Sequence, residues 1–417
     1  MRITVIGAGI LGVTSAWYLA SEGHEVTVLD RAGEVAGETS HANAGLVVAS
    51  TSGSWASPQA IRILAGSLFK EHPAFGLRLD SDPHFWLWGL EFLRNCTWAR
   101  NRRNAHAKLM LAMYSRDQIL ELERELGLAY HRSTAGALYL HREEAALDSH
   151  AAGIERLSEL GISLKRLSRD QLAAAEPALG PAALQSLVGA VQAPADFSGD
   201  CRLFTQQLAE AASTRYGAAF RLGETVTGLE IEAGRVRAVT TGTGPVPCDA
   251  VVVAMGPETP NLLRRIGARV PIYPVKGYSL TYPLAEAGLA PVTCGIDEHY
   301  FASYSRFGDA LRITARAEFS GFDRSAHPRA FQRLRAICDE LFPKAANYDA
   351  PREWVCLRPL TPGGFPIIGR VRSAPQNLWV NAGHGSLGWT MGAGSARILA
   401  DLMAGRRPAI DPAGLLG

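Results

Sequence analysis

Cysteine is sparse in this chain: six residues, at positions 96, 201, 248, 294, 338 and 356, with no Cys-x-x-Cys pair among them. That excludes a disulfide scaffold and reads as scattered thiols of a reducing compartment, so a cytoplasmic location is expected. Metal-ligand spacings of the His-x-x-x-His type are also missing, as is a Gly-x-Ser-x-Gly elbow. Neither a metal centre nor a nucleophilic serine is expected. No apolar run approaches the roughly 20 residues that a membrane-spanning helix requires. Met1 leads straight into an apolar strand pattern, and no leader segment is expected before it. Charge of one sign is not in excess: the formal net charge is +2, which gives no reason to expect nucleic acid as a partner. Internal repeats and low-complexity tracts are absent.

A chain of 417 residues, 47% hydrophobic and 20% charged, has the composition of a globular enzyme and exceeds what one hydrophobic core normally serves. Two interleaved domains are expected. Gly7, Gly9 and Gly12 lie between an apolar strand pattern over Ile3–Ile6 and a helical pattern through Leu19, and a second strand, Val26–Leu29, ends at Asp30. This is a complete dinucleotide-binding βαβ signature. Gly7 permits the tight turn, Gly9 lets the backbone approach a pyrophosphate, and Gly12 allows close helix–strand packing. The helix N-terminus presents unpaired N–H groups and a positive dipole end to the phosphates. Asp30 is placed to accept hydrogen bonds from ribose hydroxyls. The plainer reading, a glycine-containing turn of any α/β protein, leaves the acidic residue unexplained.

From Arg31 to Ser57 the chain is loop-like, with Glu38-Thr39-Ser40-His41-Ala42-Asn43-Ala44-Gly45 at its centre. Small residues and hydroxyls there let backbone amides approach a cofactor; the alternative is a flexible surface loop. From Pro73 to about Leu128 the pattern predicts an inserted helical region. Phe85-Trp86-Leu87-Trp88-Gly89-Leu90-Glu91-Phe92-Leu93 is apolar on almost every helical face, Asn101 to His106 is polar and basic, and a following helix turns Ala112, Ser115, Ile119, Leu122 and Leu126 inward. Ala137–Leu140 reads as a strand, and Ala151–Leu160, Asp170–Glu176 and Asp200–Ala212 as helices. Thr225–Ile231 and Arg235–Thr240 read as a hairpin around Glu232-Ala233-Gly234. The buried strand Ala250–Ala254, ending at Gly256-Pro257, marks a return to the nucleotide domain, while Tyr278–Tyr282 and Leu311–Ala315 predict a second sheet.

Near the C-terminus a strand over Asn377–Ala382 runs into Gly383-His384-Gly385-Ser386-Leu387-Gly388 and a helix from Trp389 to Met403. A second dinucleotide site, for a nicotinamide, fails on length, because no second strand with an acidic end follows. The glycines and helix start can instead present N–H groups to the first cofactor, where a flavin carbonyl that turns anionic on reduction would be stabilised.

Taken together, five motifs resemble the FAD-dependent amine and amino-acid oxidoreductases of the D-amino-acid oxidase and glycine oxidase superfamily, and within it the bacterial D-amino-acid dehydrogenase (small subunit) group. They are Ile6-Gly7-Ala8-Gly9-Ile10-Leu11-Gly12 with Asp30-Arg31; the loop from Glu38-Thr39-Ser40 to Asn43-Ala44-Gly45; Tyr273-Pro274-Val275-Lys276-Gly277-Tyr278-Ser279; Cys356-Leu357-Arg358-Pro359-Leu360-Thr361-Pro362 with Pro366-Ile367-Ile368-Gly369; and Gly383 to Thr390. The resemblance covers essentially the whole chain. It departs in Leu46-Val47-Val48-Ala49-Ser50-Thr51-Ser52-Gly53-Ser54-Trp55-Ala56, a stretch that would line the active-site entrance, so the preferred substrate stays open. The implied fold is α/β: a Rossmann-like FAD-binding domain (1–75, 145–260, 345–417) interleaved with an α+β substrate domain (76–144, 261–344) built on a mainly antiparallel sheet. Implied FAD contacts are Gly7, Gly9, Ile10, Leu11, Gly12, Asp30, Arg31, Ser40, Asn43, Ala44, Gly45 and Leu46, then Val226 through its backbone, Ala254 and Gly256. Gly383, His384, Gly385, Ser386, Leu387, Gly388, Trp389 and Thr390 complete them.

The planar fork of Arg358 suits a carboxylate held by two parallel hydrogen bonds. The resemblance makes it the substrate-carboxylate arginine; the alternative is an arginine tying down loop backbone. Tyr300 and Tyr278 are candidates to donate to the same carboxylate or to close the pocket, and read equally well as amphipathic residues of the second sheet. Lys276 and His384 could set a cation near the flavin, though His384 could equally cap its loop. With one dinucleotide unit, electrons must leave to an external acceptor. The expected chemistry is transfer of hydride from the Cα of a D-amino acid to flavin N5, after which water releases a 2-oxo acid and ammonia. A dedicated side-chain base is not required. Oxidation of glycine, D-proline or hydroxy-D-proline by the same chemistry is the enzymic alternative, and a flavin-bound subunit with an idle pocket the other; homo- or hetero-oligomers both remain open. The 85–93 block is read either as buried core or, with Arg94, Arg100, Arg102 and Arg103, as a peripheral contact with an anionic inner membrane that holds a quinone acceptor.

Overall fold

The computed structural model describes residues 1–51, 53–61, 75–78 and 82–410, without the side chains at 155 and 156, so Ser52 and Pro73 lie outside the described residues. Short β-branched segments form its first sheet. Arg2–Ile6 pairs in parallel with Glu25–Asp30 on one side and Ala250–Val253 on the other. Ala219–Leu222 and Leu378–Ala382 extend the sheet in parallel, and Ile367–Arg370 closes one edge antiparallel. A parallel sheet must be covered on both faces. The helices Ile10–Ser21, Cys201–Tyr216 and Gly388–Met403 contribute to the core on one face. On the other lies an antiparallel three-stranded sheet of Val226–Glu232, Arg235–Thr241 and Gly244–Pro247, whose Val236, Val239 and Val246 pack with Val251 and Val253. The predicted hairpin turns at Ala233 and Gly234, both at positive φ (+50° and +72°), as a tight two-residue turn requires.

The second sheet is larger. Its order is Arg352–Leu360, Tyr273–Pro283, Ala310–Phe319, Ala302–Phe307, Cys294–Asp297, Ala137–His141, Gly189–Ala193 and Lys165–Ser168, with Phe75–Leu77 beside Ala310–Phe319. Two pairings are parallel, Cys294–Asp297 with Ala137–His141 and Ala310–Phe319 with Phe75–Leu77; the rest are antiparallel. The amphipathic helix Pro328–Leu341 packs Phe331, Leu334 and Leu341 into the same core as Leu280, Tyr282 and Ile313 of this sheet.

Several segments sit differently from expectation. The polar stretch Asn101–His106 is part of one long helix, Trp98–Leu126, capped by Thr97 and ended by Gly127 in the left-handed region. Leu109, Ala112, Ile119 and Leu122 of that helix join the core of the first sheet, and Ser115 Oγ accepts from Gly394 N at 3.0 Å where this helix crosses Gly388–Met403. The pattern of apolar spacing identified the inward face but not the element it would meet. Lys165–Ser168 and Gly189–Ala193 pair into the larger sheet because Gly189–Ala193 finds Ala137–His141 as its antiparallel neighbour. Ala151–Leu160 is broken near Ala152-Gly153 into helices Glu144–Ala151 and Ile154–Glu159.

The first βαβ unit is held by backbone proximity. A Cβ on Gly12 would stand 1.7 Å from the Gly7 carbonyl oxygen, and Gly7 itself sits at φ +112° with a Cβ position 2.4 Å from the Ala254 carbonyl oxygen. Both obstacles are backbone atoms, so no rotamer change relieves them. Gly12→Ala is expected to destabilise the apoprotein by about 1–3 kcal/mol or more, read as a lower urea midpoint with unchanged slope; an unaltered midpoint would remove this packing role.

Candidate active site

The two sheets enclose a cavity of about 760 Å³. Its wall on the first sheet is built from Gly7, Gly9, Ile10 and Leu11 at the helix start, Asp30 and Arg31 at the strand end, and Ser40, Asn43, Ala44, Gly45 and Leu46 of the following loop. Val226, Ala254, Gly256, and His384 through Trp389 add to it. Three expected contacts are not in the wall. Gly12 lies beneath the Gly7 carbonyl, Gly383 packs against Thr361 with its Cβ position 2.7 Å from Cγ2, and the Thr390 hydroxyl is spent on Val48 N and Leu46 O. They shape the wall from behind. Ser40 Oγ accepts from Ile10 N at 3.1 Å, tying the loop to the first helical turn. Asp30 accepts from Ala8 N at 2.6 Å and from Ala32 N at 2.8 Å, so its carboxylate holds the turn as well as facing the cavity.

The loop that departs from the family pattern does line the cavity, through Val48, Thr51, Gly53, Ser54 and Trp55. It is pinned by the polar part of helix Trp98–Leu126: Lys108 Nζ donates to Gly53 O at 2.9 Å, and Asn101 Nδ2 to Ser54 O and Ala56 O at 3.1 and 2.8 Å. Burial lowers the Lys108 pKa to about 8. Lys108 is buried and Asn101 partly buried on this helix, where the loop's carbonyls need donors.

On the larger sheet, Arg358 and Tyr278 face the cavity together with Ser279, Thr314, Ala315, Arg316 and Phe319. A network behind them fixes their positions. Arg358 Nη1 donates to the Arg316 carbonyl at 2.8 Å; the Arg316 guanidinium in turn bonds Glu318. Glu318 also accepts from Tyr278 Oη at 2.9 Å and pairs with the fully buried Lys276 at 3.2 Å, and Lys276 reaches Asp323 at 3.1 Å. Burial acts to raise the Glu318 pKa, but Arg316, Tyr278 and Lys276 hold it below the usual carboxylate value. Lys276 and Arg316 thus share the two carboxylates. The uncompensated charge is Arg358, for which no carboxylate partner exists among the described residues and whose pKa is lowered by burial. A guanidinium stays charged regardless. The arrangement calls for an anion in the cavity.

Four candidate roles change. Tyr278 has a single phenolic proton, given to Glu318, so it cannot also donate to a substrate carboxylate, and its ring packs edge-on against Phe331. Tyr300 is outside the cavity: it lines a separate surface groove with Glu340 and lies under the Arg142 guanidinium at 4.6 Å. The chain turns at Phe301, at φ +50°, and that ring faces the cavity instead. Lys276 points away from the cavity into its carboxylates. His384 lines the wall, yet burial pushes its pKa down to about 3, so it is neutral, bonded to Ser395 Oγ at 2.7 Å, and supplies no cation. Glu298, Glu224 and Arg316 line the cavity and escaped sequence reading; strand alternation from Ile296 would have turned Glu298 to the same face.

The chain belongs to the family described as FAD dependent oxidoreductase (DAO), which matches residues 2–402. It is 44% identical over 416 residues to D-amino acid dehydrogenase 2 of Mesorhizobium japonicum, covering 100% of this chain and 99% of that relative. It is 41% identical over 415 residues to a D-amino acid dehydrogenase of Chromohalobacter salexigens, at 100% and 98% coverage. Among solved structures, glycine oxidase from Geobacillus kaustophilus shares the fold with a TM-score of 0.77 at 21% identity, over 99% of this chain and 98% of that one. The residues present fit FAD. The Cβ position of Gly9 meets only Ser40 Oγ, at 3.3 Å, so the backbone there is open to a close-lying phosphate, and the buried Nδ1 of His384 in the wall has no partner among the described residues.

Gly277 decides how Arg358 lies. A Cβ there would stand 2.5 Å from the Arg358 Cζ and Nη2 atoms, so the bare glycine backbone is the surface on which the guanidinium rests. Gly277→Ala is expected to retain FAD and fold but displace the fork, raising KM roughly tenfold or more, the scale of one charge-assisted hydrogen bond. Unchanged steady-state constants would show that the guanidinium does not need that surface.

Proposed function

We propose that this protein oxidises D-amino acids to 2-oxo acids and ammonia, passing the electrons to an external acceptor. The observation that carries the reading is the uncompensated Arg358 in a cavity continuous with the FAD cradle. Full-length relatives named D-amino acid dehydrogenase support the substrate class. Arg358 would take the α-carboxylate in its fork, which fixes Cα relative to the cradle. When bound, FAD supplies the two-electron acceptance that no side chain here can. Loss of the Cα hydrogen as hydride and of one amine proton leaves an imino acid, which water hydrolyses. The buried apolar wall of Ala315, Ala317 and Phe319 would limit water around the reacting carbon.

The acceptor is proposed to be a membrane quinone. No helix among the described residues is long and apolar enough to cross a membrane. The helix Pro83–Asn95 is instead two-faced: Phe85, Trp88 and Phe92 are buried, with Trp88 Nε1 donating to Leu360 O at 2.9 Å, whereas Trp86, Leu87, Leu90 and Leu93 are each about half exposed, as is Trp98 beyond it. The core reading and the surface reading therefore apply to opposite faces. Arg94, Arg100, Arg102 and Arg103 are exposed beside the apolar face, and no carboxylate pairs with them among the described residues. Tryptophan and leucine at headgroup depth flanked by arginines suit an anionic bilayer surface. Phe92 also lines the cavity, so one helix links that surface to the site.

Two measurements test these readings. Anaerobic addition of a D-amino acid is expected to bleach the flavin, and Arg358→Lys to keep stoichiometric FAD while losing roughly 10- to 150-fold in kcat/KM, the equivalent of about 1.5–3 kcal/mol. A flavin indifferent to every D-amino acid would remove the proposal. For the membrane, wild type is expected to co-sediment with anionic liposomes at low salt, and Trp86→Ser/Leu90→Ser/Leu93→Ser to stay in the supernatant with normal dye-linked activity. Equal sedimentation of both proteins would assign that face another role.

A further inference from the structure

A second unpaired charge lies in the same cavity, at the far side of the larger sheet from Arg358. Glu298 follows directly on the strand Cys294–Asp297. Alternation turns Ile296 and Glu298 into the cavity while Asp297, between them, points to the other face and is held by Arg142 at 2.8 Å. No hydrogen bond or ion pair engages the Glu298 side chain among the described residues. Of the other acidic residues in the wall, Asp30, Glu38, Glu224 and Glu258 all belong to the nucleotide side and have partners there. Arg316, the other cation in this part of the wall, is bound to Glu318.

The separation decides what Glu298 faces. Arg358 stands on the first strand of the sheet and Glu298 at the end of the fifth, with Tyr273–Pro283, Ala310–Phe319 and Ala302–Phe307 between them. Four inter-strand spacings amount to about 19 Å between backbones in a flat sheet, less the reach of two long side chains and the sheet's twist. An α-ammonium is bonded to the carbon next to the carboxylate and stays within about one strand spacing of Arg358. It cannot be the group at Glu298. A cation carried at the end of the substrate's side chain can be.

Resting on the reading that Arg358 takes the α-carboxylate, we propose that Glu298 is a specificity-determining residue that selects D-amino acids with a cationic side-chain terminus, of the lysine, ornithine or arginine type. The cavity then presents a cation and an anion several strands apart, neither paired with an opposite charge among the described residues. Burial, with the Asp297 charge beside it, pushes the Glu298 pKa up to about 7, and a bound cation would draw it back toward the ionised form. Ile296, Phe301 and Ser303 line the cavity with it, and in this partly buried place an ion pair discriminates more strongly than at a fully exposed surface.

The test uses the holoenzyme and two acids that lack an α-amine and so are not oxidised: hexanoate, and 6-aminohexanoate, which adds the terminal ammonium. Binding is followed by perturbation of the flavin absorbance. In wild type 6-aminohexanoate is expected to bind about tenfold or more tightly than hexanoate, the scale of one charge-assisted hydrogen bond. In Glu298→Gln that preference should vanish with hexanoate binding unchanged, and the kcat/KM ratio of D-lysine to D-norleucine should fall by a similar factor. Equal affinities in wild type, or a preference that survives in Glu298→Gln, overturn the assignment. If neither acid binds, the Arg358 reading fails first and this one with it.

Discussion

Glu318 is the group on which the substrate side of the cavity depends. It is buried and shared by Lys276, Tyr278 and Arg316, and each of these partners fixes something the site uses. Through Arg316 it holds the carbonyl that anchors Arg358. Through Tyr278 it takes the phenolic proton and ties that ring to the network behind Arg358. Removing one member of such a cluster would strand the others in a poorly solvated place, which is why buried ion pairs are costly to break even where they add little net stability. Arg358, held against this cluster, is left without a carboxylate of its own among the described residues.

The same logic runs through the nucleotide side, with backbone contact in the place of charge. Gly7 and Gly12 bring strand and helix to within atomic contact, so the first helical turn and its N–H groups are carried to the cavity rim. Ser40, Thr390 and Trp389 then pin the Ala42–Val48 loop to that frame, Trp389 by donating to Gly45 O at 3.2 Å. The cavity is therefore made by two sheets that meet through loops, one half lined by the backbone of the glycine-rich βαβ unit and the other by side chains of the larger sheet.

Helix Pro83–Asn95 connects this interior to the surface. Its inner face closes the cavity's outer end with Phe92 and packs Trp88 against Tyr273 and Phe319. Its outer face exposes bulky apolar side chains that a protein in free solution has no use for. A sequence reading that asks whether the segment is core or surface poses a false choice, because a helix with apolar residues on every side can satisfy both.

What the amino-acid sequence determined by itself are the features written in local order. The βαβ unit with its three glycines and Asp30, the second glycine-rich turn before the last helix and the Ala233-Gly234 hairpin all depend on residues within a few turns of chain. Tertiary structure decided whatever depends on which strands become neighbours. It placed helix Trp98–Leu126 against Gly388–Met403, and sent Tyr300 outward while its neighbour Phe301 took the cavity. It engaged the Tyr278 proton, buried Lys276 among carboxylates, left His384 neutral, and brought Glu298 into the same space as Arg358. Side-chain charge and direction in a sheet follow from register and from partners far along the chain, and no local pattern encodes those.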